Sequence, residues 1–483
     1  MTSMRGKTFT AAQALGAAFL TAFAGQGLAQ SAPDKAAPHL VDASQISSGD
    51  TAWMLTSTAL VLLMTLPGLA LFYGGMVRKK NLLSTMAQSF AIACLVTVIW
   101  VVIGYSLAFT EDSPWIGGTT RFALEGLFYA KGGQVSVSHM APTIPESVFM
   151  MYQMMFAIIT PALITGAFAE RIKFSSMLVF MALWSLCVYA PMAHWVWSPD
   201  GWLHSLGVLD FAGGTVVHIN AGVTGLACVI MLGERKGYGI DPIFPHNLAL
   251  TITGAALLWV GWFGFNAGSA LSADGRAGLA FANTHCAAAT AALTWMAIEW
   301  AARGKVSVLG IASGAVAGLV AITPACGALS PLGSIILGVV AGGLSALAVG
   351  LKFRLGYDDS LDVVGVHLVA GVWGTIGAGL LATATGLFYG GGIDQTVVQI
   401  LIALSSLVVS GVVTLVIALA LKATLGWRVP EDVEVAGIDQ TEHAESAYDM
   451  NAVGGRMGVS GFGSGPDARQ EDKSAKNLEG AQS

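Results

Sequence analysis

The chain reads as long apolar stretches separated by short polar breaks. A helix that crosses a bilayer needs about 20 predominantly apolar residues. Eleven stretches approach or exceed that length: 52–76, 85–109, 147–168, 174–192, 212–232, 249–271, 279–301, 307–325, 333–351, 363–385 and 396–421. The pattern predicts an all-α membrane protein with eleven transmembrane helices. Taken alternately, one set of breaks, with the segment after the last stretch, holds thirteen basic residues: Arg78, Lys79, Lys80, Arg171, Lys173, Arg235, Lys236, Arg303, Lys305, Lys352, Arg354, Lys422 and Arg428. The other set holds Arg121, Lys131 and Arg276. The positive-inside rule assigns the richer set to the cytoplasm. That puts the N-terminus outside and the C-terminus inside, which requires an odd number of spans.

The first residues form a separate unit. Arg5 and Lys7 precede an apolar stretch from Ala11 to Phe23, and Gly27-Leu28-Ala29 offers a small-x-small cleavage site. Residues 1–29 therefore read as a bacterial secretory signal peptide, which independently leaves the mature N-terminus outside the cytoplasm. An uncleaved first helix is the alternative, but the run is short for a span. Residues 30–50 are a polar periplasmic lead-in, 51–428 the transmembrane domain and 429–448 a cytoplasmic tail. The Gly/Ser-rich composition of 449–483 predicts a disordered extension.

Composition agrees with this class. Of 483 residues, 54% are hydrophobic and 11% charged, against about 25% charged in soluble domains. The 60 glycines suit close helix packing in lipid. A net charge of −6 gives no sign of nucleic-acid binding. There is no phosphate-cradling Walker loop, so an ATP-driven activity is not expected. Cys94, Cys187, Cys228, Cys286 and Cys326 lack metal-binding spacing and read as packing residues. No cofactor, metal or nucleophile–base set is expected, so an enzyme is not the reading.

One motif occurs twice. Val217-His218-Ile219-Asn220-Ala221-Gly222-Val223 and Val366-His367-Leu368-Val369-Ala370-Gly371-Val372 both read V-H-x-x-A-G-V. Five spans separate them, so the expected five-helix pseudo-repeat (spans 1–5 and 6–10, plus a final helix) is inverted in the membrane. Inverted repeats place a functional site near the midplane at their interface. A single buried histidine is commonly one satisfied by a neighbouring helix, but two in echoing motifs point to function, because ionisable groups in lipid are costly. Adjacent neutral imidazoles can share a hydrogen bond and line a narrow pore. Asp210 and Asp362 precede the two histidines and read equally as helix caps or as groups shaping a cation site. Trp195 and Trp202 read as an interfacial belt. Trp197, Ser269 and Phe156 form a candidate cation site of aromatic faces and one hydroxyl, if their spans converge.

The strings Pro67 through Gly75, Ala169-Glu170-Arg171-Ile172, Asp210 through Asn220, Gly261 through Ser269 and Asp362 through His367 closely resemble the ammonium transporter (Amt/Rh) family, with similarity from about residue 50 to 450. The resemblance implies a homotrimer in the inner membrane with one pore per subunit, serving nitrogen utilization. It implies an outer ammonium site at Trp197, Ser269 and Phe156, and a gate of Phe156 and Phe265. His218 and His367 would be the twin pore histidines and Asp210 a structurally important acid. Tyr152 and Gln153 would shape the vestibule. Ammonium, with methylammonium as analogue, would be the substrate, and a PII-type regulatory protein would contact the tail from Gly437 to Tyr448, where Ala444 replaces a frequent glycine. The main alternative is an ammonium sensor signalling through its tail, although residues after Tyr448 are too short and polar for an appended signalling domain. A neutral-gas pore fits less well, because it would not need Trp197 and Ser269.

Overall fold

A computed structural model describes residues 37–127 and 132–448. The expected leader (1–29) and extension (449–483) lie outside the described residues. Among the described residues, eleven helices carry the fold: α1 (Ser48–Met76), α2 (Lys79–Phe109), α3 (Glu146–Phe168), α4 (Phe174–Trp197), α5 (Gly214–Leu232), α6 (Leu248–Gly268), α7 (Gly275–Arg303), α8 (Val308–Ile322), α9 (Pro331–Leu355), α10 (Val364–Leu381) and α11 (Asp394–Thr424). Each overlaps one of the eleven apolar stretches. Among the described residues, nine of them, all but α7 and α8, are long and apolar enough to cross a membrane. The alanine-rich α7 carries Asn283, Thr284 and His285 in its first half, and α8 has 15 residues, about 22 Å at the α-helical rise.

Local sequence sets these ends. Ser47, Asn247, Ser307 and Ser330 each accept a backbone N–H in the first turn of α1, α6, α8 and α9, and Asp274 accepts two at the start of α7. Such caps satisfy donors that the helix itself leaves free. α3 is buried along almost its whole length and forms the centre of the bundle. The lead-in is not wholly irregular. Its strand β1 (His39–Asp42) pairs antiparallel with β2 (Gln134–Val137), joining it to the α2–α3 connection.

Most of the basic residues singled out by the sequence converge at one end of the bundle. Arg78 and Arg235 both hold buried Glu170, at 3.0 and 2.9 Å. Arg235 also holds Asp358 at 2.8 Å, and Arg171 approaches the same carboxylate at 3.7 Å. Burial alone would raise the Glu170 carboxyl, but Arg235 and Arg78 outweigh it and hold the group below its ordinary value. Two short helices, α12 (Glu431–Ala436) and α13 (Ile438–His443), lay the tail across this end. Asp439 of α13 accepts from the Leu83 and Ser84 backbone N–H groups at 2.9 and 2.8 Å, capping α2. Glu434 of α12 binds Arg428 at 2.6 Å. At the opposite end, Arg121 and Tyr105 reach buried Glu146 at 2.9 and 3.0 Å, and Trp115, Trp195 and Trp202 pack edge to face or tilted.

Candidate functional site

A vestibule of about 220 Å³ opens at the Glu146 end, with Phe156, Trp197, Asp210 and Ser269 in its lining. Trp197 closes α4, and its indole N–H donates to the Asp210 carbonyl at 2.9 Å. Its ring stands edge-on to Phe156, with centroids 5.8 Å apart. Ser269 follows the last turn of α6, and its hydroxyl donates to the Phe265 carbonyl at 2.8 Å. The Tyr152 hydroxyl lies 2.9 Å from the Gly264 and Phe265 carbonyls and 3.2 Å from Ser269 Oγ. With its proton directed at a carbonyl, Ser269 offers lone pairs to the vestibule. Aromatic faces and an acceptor oxygen suit a small cation with N–H donors.

Below the vestibule the passage narrows onto aromatic rings. Phe156 and Phe265 stand 4.4 Å apart, and the His218 ring lies 6.0 Å beyond Phe265. Trp262 stacks on His218 at 5.4 Å, its own N–H held by Thr323 Oγ1 at 2.9 Å. His367 Nδ1 meets His218 Nδ1 at 3.3 Å. Both rings line an apolar cavity of about 10 Å³ with Met64, Leu69, Phe72 and Leu163, room for about one water-sized molecule. A direct contact between two Nδ1 atoms needs one proton between them, so one ring donates and the other accepts. With both rings neutral, one Nε2 is then an N–H donor and the other an acceptor. The Nε2 of His218 is buried and has no partner among the described residues, which leaves it free for whatever passes.

The repeated motif has a packing reason. A Cβ on Gly222 would lie 2.6 Å from the Leu368 backbone N, next to His367. A Cβ on Gly371 would lie 3.2 Å from the Cβ of His218. Each motif's glycine thus admits the other motif's histidine turn, and the reciprocal fit lets the two rings touch. Both histidines also sit in π-helical turns, Gly214–Ile219 and Val364–Leu368, which widen a helix and commonly mark functional positions. Asn220 supports the first of these turns. Its amide donates to the Val216 carbonyl at 2.9 Å, and its Oδ1 accepts from Ser406 and Ser410 at 2.6 Å each.

Asp210 is a cap and makes no contact with His218. Its carboxylate accepts the backbone N–H groups of Gly213, Thr215 and Val216 at 3.0–3.1 Å. Burial pushes the carboxyl up to about 6, against the backbone donors that pull it down. Asp362 does not play the matching part before His367. It turns to Lys352 at 2.6 Å. The matching residue is Asp359, which accepts the Val364 N–H at 2.7 Å. Asp359 precedes His367 by eight residues, as Asp210 precedes His218. Sequence reading missed it, although that shared offset was the available signal. Asp210 lies at the vestibule end and Asp359 beside the Arg235 network, so α5 and α10 start at opposite ends of the bundle. Among the described residues, no group of three or more His, Cys, Asp or Glu could hold a metal ion.

Known proteins resemble this chain over most of its length. The family model described as Ammonium Transporter Family matches residues 52–448. An ammonium transporter of Mycobacterium tuberculosis is 51% identical over 439 residues, covering 85% of this chain and 92% of its own. One of Bacillus subtilis is 48% identical over 410 residues, covering 83% of this chain and 98% of its own. A crystal structure of Candida albicans Mep2 superposes with a TM-score of 0.74 at 36% identity, covering 81% of this chain and 89% of that one. A structure titled Sensor Amt Protein gives 0.75 at 29% identity, covering 82% and 98%. With two histidines joined behind a closed aromatic neck, and this likeness across most of its length, the chain belongs to the ammonium transporter family.

Proposed function

We propose that the protein carries ammonium across the bacterial inner membrane by passing neutral ammonia through a pore in each subunit of a homotrimer. The observation that carries this reading is the narrow apolar neck, with His218 and His367 in contact at 3.3 Å beneath touching Phe156 and Phe265 rings. An ion in hydrocarbon-like surroundings costs several kcal/mol, whereas its uncharged conjugate base avoids that penalty. Ammonium binds at Trp197, Phe156 and Ser269 and gives up its proton to water in the outer vestibule. Ammonia passes the phenylalanines, follows the histidine pair and is reprotonated inside.

All eleven helices act as spans in this reading, with the N-terminus outside and the C-terminus inside. The clustering of Arg78, Arg171, Arg235 and Arg428 with the tail at one end supports that orientation. The opposed starts of α5 and α10 and their matched aspartates support an inverted repeat. The tail helices, docked on the loops around the inner mouth, are the surface we assign to a PII-type regulator. A second reading, ammonium sensing, draws support from that docking and from the likeness to the sensor structure. Purified protein in proteoliposomes tests transport. An ammonium-evoked current or a flux of ammonia or methylammonium is expected, and the lack of all three rejects the proposal. Removing residues 449–483 separates the alternatives, since intact uptake with lost nitrogen signalling would favour the sensor.

A further inference from the structure

The outer site as described leaves an ammonium ion under-coordinated. Ammonium carries four N–H donors in a tetrahedron. Ser269 takes one, and the rings of Trp197 and Phe156 attract the charge without accepting directional hydrogen bonds of full strength. Asp210, although it lines the vestibule, turns its carboxylate to the backbone. Arg276 lines it too but supplies only donors, and its guanidinium sits 4.7 Å above the Phe211 ring.

Gln153 is different. It lies one turn before Phe156 on α3, so the two share a helix face. It lines the same vestibule as Phe156, Trp197 and Ser269. Only 7% of the residue is exposed, and its carbonyl oxygen Oε1 is buried with no hydrogen-bond partner among the described residues. A buried amide oxygen without a partner is costly unless something is meant to fill its place.

We infer that Gln153 is a further ligand of the outer cation site, its side-chain carbonyl accepting an N–H from bound ammonium. The inference rests on the outer-site reading of Trp197, Phe156 and Ser269 and deepens it. Gln153 acts on binding and leaves the neck beneath unchanged, so its loss raises the half-saturating concentration without lowering the maximum rate.

The test is ammonium uptake by the full-length protein in proteoliposomes, comparing wild type, Gln153→Leu, Gln153→Glu and Ser269→Ala. Gln153→Leu keeps the volume and removes the acceptor. We expect its half-saturating ammonium concentration to rise about tenfold, the loss of one charge-assisted hydrogen bond, with the maximum rate retained. Gln153→Glu restores an acceptor oxygen and keeps half-saturation at or below the wild-type value. If Ser269→Ala weakens binding while Gln153→Leu does not, the Gln153 assignment is overturned and the outer site stands. If neither substitution weakens binding, the outer site itself is wrong. Should the leucine variant fail to assemble, Gln153→Glu decides: weakened half-saturation overturns the assignment, and retained or tighter half-saturation supports it.

Discussion

The reciprocal fit of Gly222 and Gly371 makes a sharp prediction. A methyl group added at Gly222 would sit 2.6 Å from both the backbone N and the Cβ of Leu368. Atoms in ordinary contact stand about 3.5–4.0 Å apart, so α5 and α10 must part by about 1 Å to admit it. The His218–His367 contact is already 3.3 Å, and about 1 Å more takes it beyond hydrogen-bonding reach. Overpacking of this kind costs about 1–3 kcal/mol in stability. Leaving both Nδ1 atoms buried without a partner costs a similar amount, and placed on the transport barrier it slows flux roughly tenfold or more. Gly222→Ala should therefore lower both the melting temperature in detergent and the ammonia flux in proteoliposomes. Gly411→Ala is the control, because its added Cβ meets only Val223 Cγ2 at an ordinary 3.5 Å. Wild-type flux and stability in Gly222→Ala would refute the packing account of the motif.

The charged end gives three more expectations. Arg235→Ala strips a partner from both Glu170 and Asp358, a loss of about 3–5 kcal/mol for a buried network, and thermal melting should show it, whereas Lys236→Ala at an exposed pair should not. The Glu170 carboxyl is held below its ordinary 4.5, so the folded state binds fewer protons there than the unfolded one. Its stabilisation is then whole above that pH and is lost as pH falls further; melting curves of wild type and Glu170→Gln should converge in that acid range, and a constant gap between them would contradict the assignment. Asp439→Ala removes the cap from α2, about 1 kcal/mol, and should speed limited proteolysis of the tail; unchanged cleavage would mean that other contacts hold it.

Much of this arrangement was legible in the chain. Apolar length marked the nine helices long and apolar enough to span, because lipid-facing and core-facing positions are both apolar, and α7 and α8 overlap the other two stretches. The V-H-x-x-A-G-V echo marked the two histidines, and its glycines turned out to carry the contact. Aromatics on α3, α4 and α6 met as the residue types suggested. What stayed hidden depends on contacts distant in sequence or on fine backbone geometry. The π-helical turns leave no mark in hydropathy. Strand β1 is four residues long and is defined only by its pairing with Gln134–Val137. Asp362 looked like the partner of Asp210 because it is the nearest acid before His367, yet Lys352 draws it away. The tail's grip on α2 rests on Asp439, one acid among several in a polar stretch.

The central claim is that the neck admits ammonia and refuses the ion. Potassium is close to ammonium in size and charge but has no proton to give up. The decisive measurement compares the two ions at equal concentration in the same proteoliposomes. Ammonium should drive flux that falls roughly tenfold or more with Gly222→Ala, and potassium should drive none above empty vesicles; potassium flux comparable to that of ammonium would contradict the account.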